Sequence, residues 1–151
     1  MISIQQVGSD VVVTLSGAIE TTCTPGVNSG GIPSAMSPSA FEVVNNPGST
    51  YECAYVGVIF SSPSFGPGSY ATADTSSTSS PFMLFRASST GIVFRIPISA
   101  SGASYAVAGD TMTFVSKTFA SVGVTPGTYT VNYGTGSLIT VQVGPATLPT
   151  E

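Results

Sequence analysis

The stretch FASVGVTPGTYTVNYGTGSLITVQVG, residues 119–144, decides the fold class. Thr125-Pro126-Gly127 sets a tight turn, because proline fixes φ and glycine tolerates positive φ. Tyr129, Val131 and Tyr133 then alternate with Thr128, Thr130 and Asn132. Gly134-Thr135-Gly136 breaks the run, and Ile139, Val141 and Val143 alternate with Thr140 and Gln142. Two period-two runs around a glycine-rich break predict a β-hairpin. Tyr129 and Tyr133 share a strand face with Val131, so core or sheet-face packing is expected of them rather than a sugar-stacking platform.

Working outward, the same grammar recurs. Ile2 and Ile4, then Val11, Val13 and Leu15, alternate around Gly8-Ser9-Asp10 and predict an N-terminal hairpin. Residues 24–40 (TPGVNSGGIPSAMSPSA) have no period and read as a long surface loop. A short strand is expected over 41–44, a turn at 46–49 and the longest core strand over 51–60. Residues 61–68 turn again. Residues 71–81 (ATADTSSTSSP) hold almost no apolar area to set against the entropy of ordering, so an exposed loop with little backbone pairing is expected. Strands follow at 82–85 and 91–97. A third hairpin is expected, with arms at 105–107 and 111–115 around Ala108-Gly109-Asp110. No window carries a helical stripe longer than a turn or two. The expectation is one all-β domain over residues 1–144, an antiparallel β-sandwich or jelly-roll-like fold of roughly eight to ten strands. Residues 145–151 read as an extended C-terminal tail.

The chain has 151 residues, of which 7% are charged. About a quarter is usual. At 42% hydrophobic residues it is no charged disordered chain. Its polar surface must therefore be serine, threonine, glycine and asparagine, which suits a protein packed into an assembly or exposed to a harsh exterior. Arg86, Arg95 and Lys117 are the only cations. Three scattered charges cannot neutralise a phosphate backbone, so nucleic acid is excluded as a partner. Every apolar run is strand-sized, well short of the ~20 residues of a helical membrane span. The N-terminus has neither the basic nor the apolar region of a signal peptide, so a chain made without a leader is expected.

Histidine is absent, which removes the commonest general base and metal ligand. Asp10, Glu20, Glu42, Glu52, Asp74 and Asp110 are the candidates for a carboxylate pair of the glycosidase kind. Asp10 and Asp110 follow small residues in expected turns, where aspartate satisfies local backbone amides. Glu52 is expected to face solvent by alternation. No catalytic residue, metal site or cofactor is expected. Cys23 and Cys53 are the only cysteines. They are either a disulfide, closing a loop of about thirty residues and worth roughly 3–4 kcal/mol in the chain-entropy model, or two buried thiols.

The phrase over 120–136 and the strand that follows resemble the C-terminal half of a β-rich domain in bacterial surface proteins that bear PEP-CTERM sorting signals. That family carries an ASLGLTPGTYTWTWGSG-like phrase. Residues 65–70 (FGPGSY) resemble its Phe-Gly-x-Gly-Gly-Ser-Phe phrase, 95–102 its Val-Pro-x-Gly-Tyr segment, and VGSDVVVTLSGAI its first hairpin. The departures are the missing leader, terminal motif, anchor and basic tail, with Val131 and Tyr133 at the family's two tryptophan positions. Leaderless, Met-initiated versions look like virion proteins encoded by phages of aquatic bacteria. The resemblance implies no catalytic residues. It implies a virion structural protein, a capsid decoration (cement) protein on the outer shell, with the major capsid protein or other virion proteins as partners. A homo-oligomer, with a trimer favoured, is expected there, and Ile2 and Ile4 are expected as assembly contacts. The alternative is the mature exterior domain of a secreted bacterial surface or biofilm-matrix protein.

Overall fold

The computed structural model describes residues 1–20, 26–28, 33–45, 50–77, 81–97 and 104–144. The hairpin that opened the sequence reading forms as expected. Strand β13 (Gly127–Tyr133) pairs antiparallel with β14 (Ser137–Val143), placing Tyr129 opposite Val141 and Val131 opposite Ile139. The turn before β13 is entered from a single helical turn, α1 (Phe119–Val122). Thr118 and Ser121 cap α1 reciprocally, side chain to backbone, and Gly123 ends it in the left-handed region.

The remaining strands, in chain order, are β1 (Ile2–Val7), β2 (Asp10–Glu20), β3 (Gly26–Asn28), β4 (Ala35–Ser37), β5 (Glu42–Asn45), β6 (Thr50–Val56) and β7 (Ile59–Phe60). They continue with β8 (Ala71–Thr72), β9 (Thr75–Ser76), β10 (Phe82–Ser88), β11 (Gly91–Pro97) and β12 (Ser104–Phe114). Two sheets result. The first runs β7-β13-β14-β1-β2-β12-β9, and the second runs β3-β6-β11-β10-β5-β4-β8. All recorded pairings are antiparallel except β1 with β14. The chain is an all-β sandwich.

One continuous core lies between the sheets. Alternation fills it: Val11, Val13 and Leu15 of β2, Val131 of β13 and Val141 of β14 are at most 1% exposed. Leu84, Ile92 and Phe94 face them from the second sheet. Each such side chain contributes about 1.5–3 kcal/mol by leaving water. Aromatic rings fill both ends. Tyr55 and Phe94 meet Tyr133 with centroids 4.9 and 5.0 Å away, and Phe41 meets Phe60 and Phe65 edge-on at 5.5 and 5.3 Å.

Several expectations fail for identifiable reasons. Residues 24–40 are not one surface loop: they contain β3, β4 and a 3₁₀ turn at Pro38–Ala40, and Ala35 and Met36 are fully buried. Apolar residues are too few there to show a period, yet enough to anchor a short strand. The expected single strand over 51–60 is broken at Gly57, whose φ of 70° hands the chain from one sheet to the other. Residues 71–77 are exposed but paired. Strands β8 and β9 join opposite sheets, and the amides of Ala73, Asp74 and Ser77 donate to Ser34, Thr113 and Thr111. The third hairpin is absent: β12 is one strand, antiparallel to β2 along its length. Gly109, at φ 77°, is a bulge rather than a turn.

Candidate functional site

The bulge at Gly109 sets the interior chemistry. One extra residue shifts the side-chain alternation, so Val107 and Asp110 both point inward. Asp110 is only 2% exposed and is not the turn residue expected from the sequence. Its Oδ2 accepts from Asn45 Nδ2 at 3.3 Å and its Oδ1 from the Ser77 hydroxyl at 3.3 Å. Asn45, fully buried, also donates to the Ser77 carbonyl at 2.9 Å and accepts from the Ser34 hydroxyl at 3.2 Å. Ser34 is shared with Ser76 at 2.9 Å. This network ties β5 to β12 across the core, and its hydrogen bonds offset the cost of burying polar groups. The sequence reading missed it. The available signal was Asn45 two residues after inward-facing Val43, where alternation calls for an apolar side chain.

The other carboxylates are dispersed. Asp10 opens β2 and accepts from the Ser116 amide at 2.9 Å, so it serves a backbone amide as expected, though a distant one. Asp74 accepts from the neighbouring Val115 amide at 2.7 Å. Glu20 accepts from the Ser137 and Thr135 hydroxyls at the end of β2. Glu52 lies opposite Arg95 across β6 and β11, with the guanidinium Nε 3.3 Å away. Glu42 sits nearby, where burial pushes its carboxyl up and the Arg95 charge opposes the shift. Tyr70 is pushed up by burial and by Glu42. Among the described residues no three of the metal-ligating side chains converge.

Ile2 and Ile4 are 3% and 0% exposed on β1, an interior strand between β14 and β2. Their side chains, expected as assembly contacts, serve the core of this chain. Cys53 is buried on β6 and is not a free thiol. Cys23, its expected partner, lies outside the described residues, as does the tail over 145–151.

An accessible feature with a continuous register is the outer face of the first sheet. Register places Thr128 opposite Gln142, Gln142 opposite Ser3, Ser3 opposite Thr14 and Thr14 opposite Thr111. That row crosses five strands. Flanking it are Thr130 with Thr140 on one side, and Gln5, Val12, Thr113 and Thr75 on the other. No ionisable side chain occupies these rows, and the Thr128 hydroxyl donates to Gln142 Oε1 at 2.6 Å within them. Adjacent strands stand about 4.8 Å apart, so hydroxyl, amide and methyl groups form a neutral, closely spaced grid. Such a surface binds through shape, dispersion and neutral hydrogen bonds. Compared with family models, curated proteins and solved structures, the chain matches none.

Proposed function

We propose that the chain is a virion structural protein, a decoration subunit that binds the outside of a phage capsid without chemistry. The observation that carries this reading is the uncharged grid on the outer face of the first sheet. A row of neutral side chains five strands wide suits a fixed contact with a repeating protein surface, where nothing has to be desolvated at the cost of a buried charge. The resemblance to exterior, non-catalytic surface proteins supports it. Because β1 is an interior strand, attachment runs through this face and not through a donated N-terminus. A trimer would match the local threefold positions of a capsid lattice.

The test is mass-spectrometric identification of the chain in purified particles, followed by co-sedimentation with capsids. Binding through a neutral face is expected to survive salt, since there is little Coulombic attraction to screen. Replacing Thr14 and Thr111 with lysine is expected to abolish it. Loss of wild-type binding in high salt, or retention by the double variant, rejects this face as the attachment surface.

Cys53 favours the second reading, a secreted bacterial surface or matrix domain. A cysteine that is not a free thiol fits an oxidising exterior, because disulfides persist there and are rare in the reducing cytosol. A leader encoded upstream of this chain would decide for it.

A further inference from the structure

The segment between β7 and β8 meets the end of α1 at Gly68 and Gly123, where the Gly68 amide donates to the Gly123 carbonyl at 2.9 Å. Beside this contact the two segments leave a groove of about 400 Å³. Small-molecule sites usually hold about 300–1,000 Å³. Pro67, Ser69 and Tyr70 line it from one segment, and Ala120, Ser121 and Val122 from the other. The groove is preformed. A Cβ on either glycine would strike the backbone of the other segment, so the separation of the two segments is fixed. The Ser39 amide holds the Gly68 carbonyl at 2.9 Å, and the Val124 amide closes α1 onto the Phe119 carbonyl at 3.0 Å.

The lining selects the class of ligand. No aspartate, glutamate, lysine or arginine lines the groove among the described residues. Burial and then the Glu42 charge push the Tyr70 phenol up, so it is a neutral donor at ordinary pH. The Tyr70 side chain is 47% exposed, which leaves ring surface for a ligand to cover. Among the described residues neither the Ser69 nor the Tyr70 hydroxyl has a hydrogen-bond partner. The Ser121 hydroxyl accepts from the Thr118 amide at 2.8 Å and donates to its carbonyl at 3.0 Å, which leaves one lone pair to accept again. An anionic ligand finds no cation here and meets the field of Glu42. A wholly apolar ligand would bury these hydroxyls without partners. A pyranose fits both demands, because its C–H face packs on an aromatic ring while its rim hydroxyls donate and accept.

We propose that this groove is a binding site for a neutral pyranose sugar, with the sugar's C–H face on the Tyr70 ring and its hydroxyls bonded to Ser69 and Ser121. Tyr70 supplies most of the affinity, since it carries the one large surface in the groove. The serines orient the ring. The site shares no residue with the uncharged rows on the outer face of the first sheet, so the inference is independent of the virion reading.

The test titrates nitrogen-15-labelled protein with the methyl glycosides of glucose, galactose and mannose, and with the corresponding uronides, in which a carboxylate replaces the ring's hydroxymethyl group. Amide chemical shifts are the readout. Saturable shifts confined to residues 67–71 and 120–123 are expected with at least one neutral glycoside. Its uronide is expected to bind at least tenfold more weakly. Tyr70→Ala is expected to weaken binding at least tenfold, and Tyr70→Phe, which keeps the ring, to restore most of it. Should Tyr70→Ala fail to fold, Ala120→Trp asks the same question, because Ala120 is an exposed lining residue and a large side chain there fills the groove. No saturable shift with any of the three neutral glycosides overturns the proposal. So do shifts centred elsewhere, a uronide that binds as tightly as its neutral counterpart, and binding that survives Tyr70→Ala or Ala120→Trp.

Discussion

The amide of Gly68 donates to the carbonyl of Gly123 at 2.9 Å, and the two backbones touch with no room for a side chain between them. A Cβ on Gly123 would lie 2.2 Å from the Gly68 Cα, and one on Gly68 would lie 2.3 Å from the Val122 carbonyl oxygen. Gly66 approaches Gly123 and Val124 equally closely. The glycine-rich phrase at 65–70 and the phrase after α1 are therefore two halves of one backbone contact. It pins the chain between β7 and β8 onto the entry to the C-terminal hairpin.

Gly123→Ala is expected to destabilise the fold by about 2–4 kcal/mol, combining a left-handed backbone penalty with an overpacked contact. Gly8→Ala is the control. Gly8 also has positive φ, 60°, but a Cβ there meets nothing within 4 Å, so only the backbone penalty of about 1–2 kcal/mol applies. Urea denaturation of the two variants measures the difference. Equal losses would show that the close approach contributes nothing.

The network around Asn45 and Asp110 predicts coupling. Asp110→Ala leaves the Asn45 amide one acceptor short inside the core, at a cost of about 1–3 kcal/mol. Asn45→Ala removes the shared partner, so the double variant is expected to cost less than the sum of the singles. A double-mutant cycle by denaturation reads the coupling directly, at about 0.5–3 kcal/mol for groups in one network. Additive losses would mean the two side chains act independently.

Strand positions were readable wherever a polar–apolar alternation ran long enough to outweigh chance, as in β13, β14, β1 and β2. Gly109 was misread because a bulge and a turn ask for the same residue: each needs positive φ, and only the partner strand shows which is built. Gly57 was read through because a lone glycine inside an apolar run does not show that the chain changes sheets there. Strands β4, β8 and β9 escaped because they are two or three residues long, and β9 is held by β12, a partner distant in sequence. The neutral face was implicit in the composition, but its continuity depends on register across five strands.

The interior position of β1 fixes what deleting the N-terminus does. Removing residues 1–6 takes out the strand that bridges β14 and β2, and exposes two long backbone edges in mid-sheet. Global unfolding is expected, seen as loss of the cooperative transition in circular dichroism. The milder Ile4→Ala, at a fully buried site, is expected to cost about 2–5 kcal/mol while leaving the fold intact. A truncated chain that still melts cooperatively near the wild-type midpoint would contradict the placement of β1.

Glu42 predicts how stability responds to acid. Its carboxyl is pushed up by burial on the outer side of β5, and the Arg95 charge only partly opposes this. In the unfolded chain it titrates at its ordinary value, so between that value and the raised one the native state holds more protons than the unfolded state. Stability from this group is therefore greatest at acid pH and is lost as pH rises through that interval, since the slope of unfolding free energy with pH follows protons bound unfolded minus protons bound folded. Glu42→Gln keeps the shape and removes the charge. The variant is expected to equal or exceed the wild type in stability at neutral pH, with the advantage disappearing in acid where Glu42 is itself neutral. Denaturant titrations across that pH range test the relation. A Glu42→Gln variant that is clearly less stable at neutral pH would show that attraction to Arg95, and not burial, governs this carboxyl.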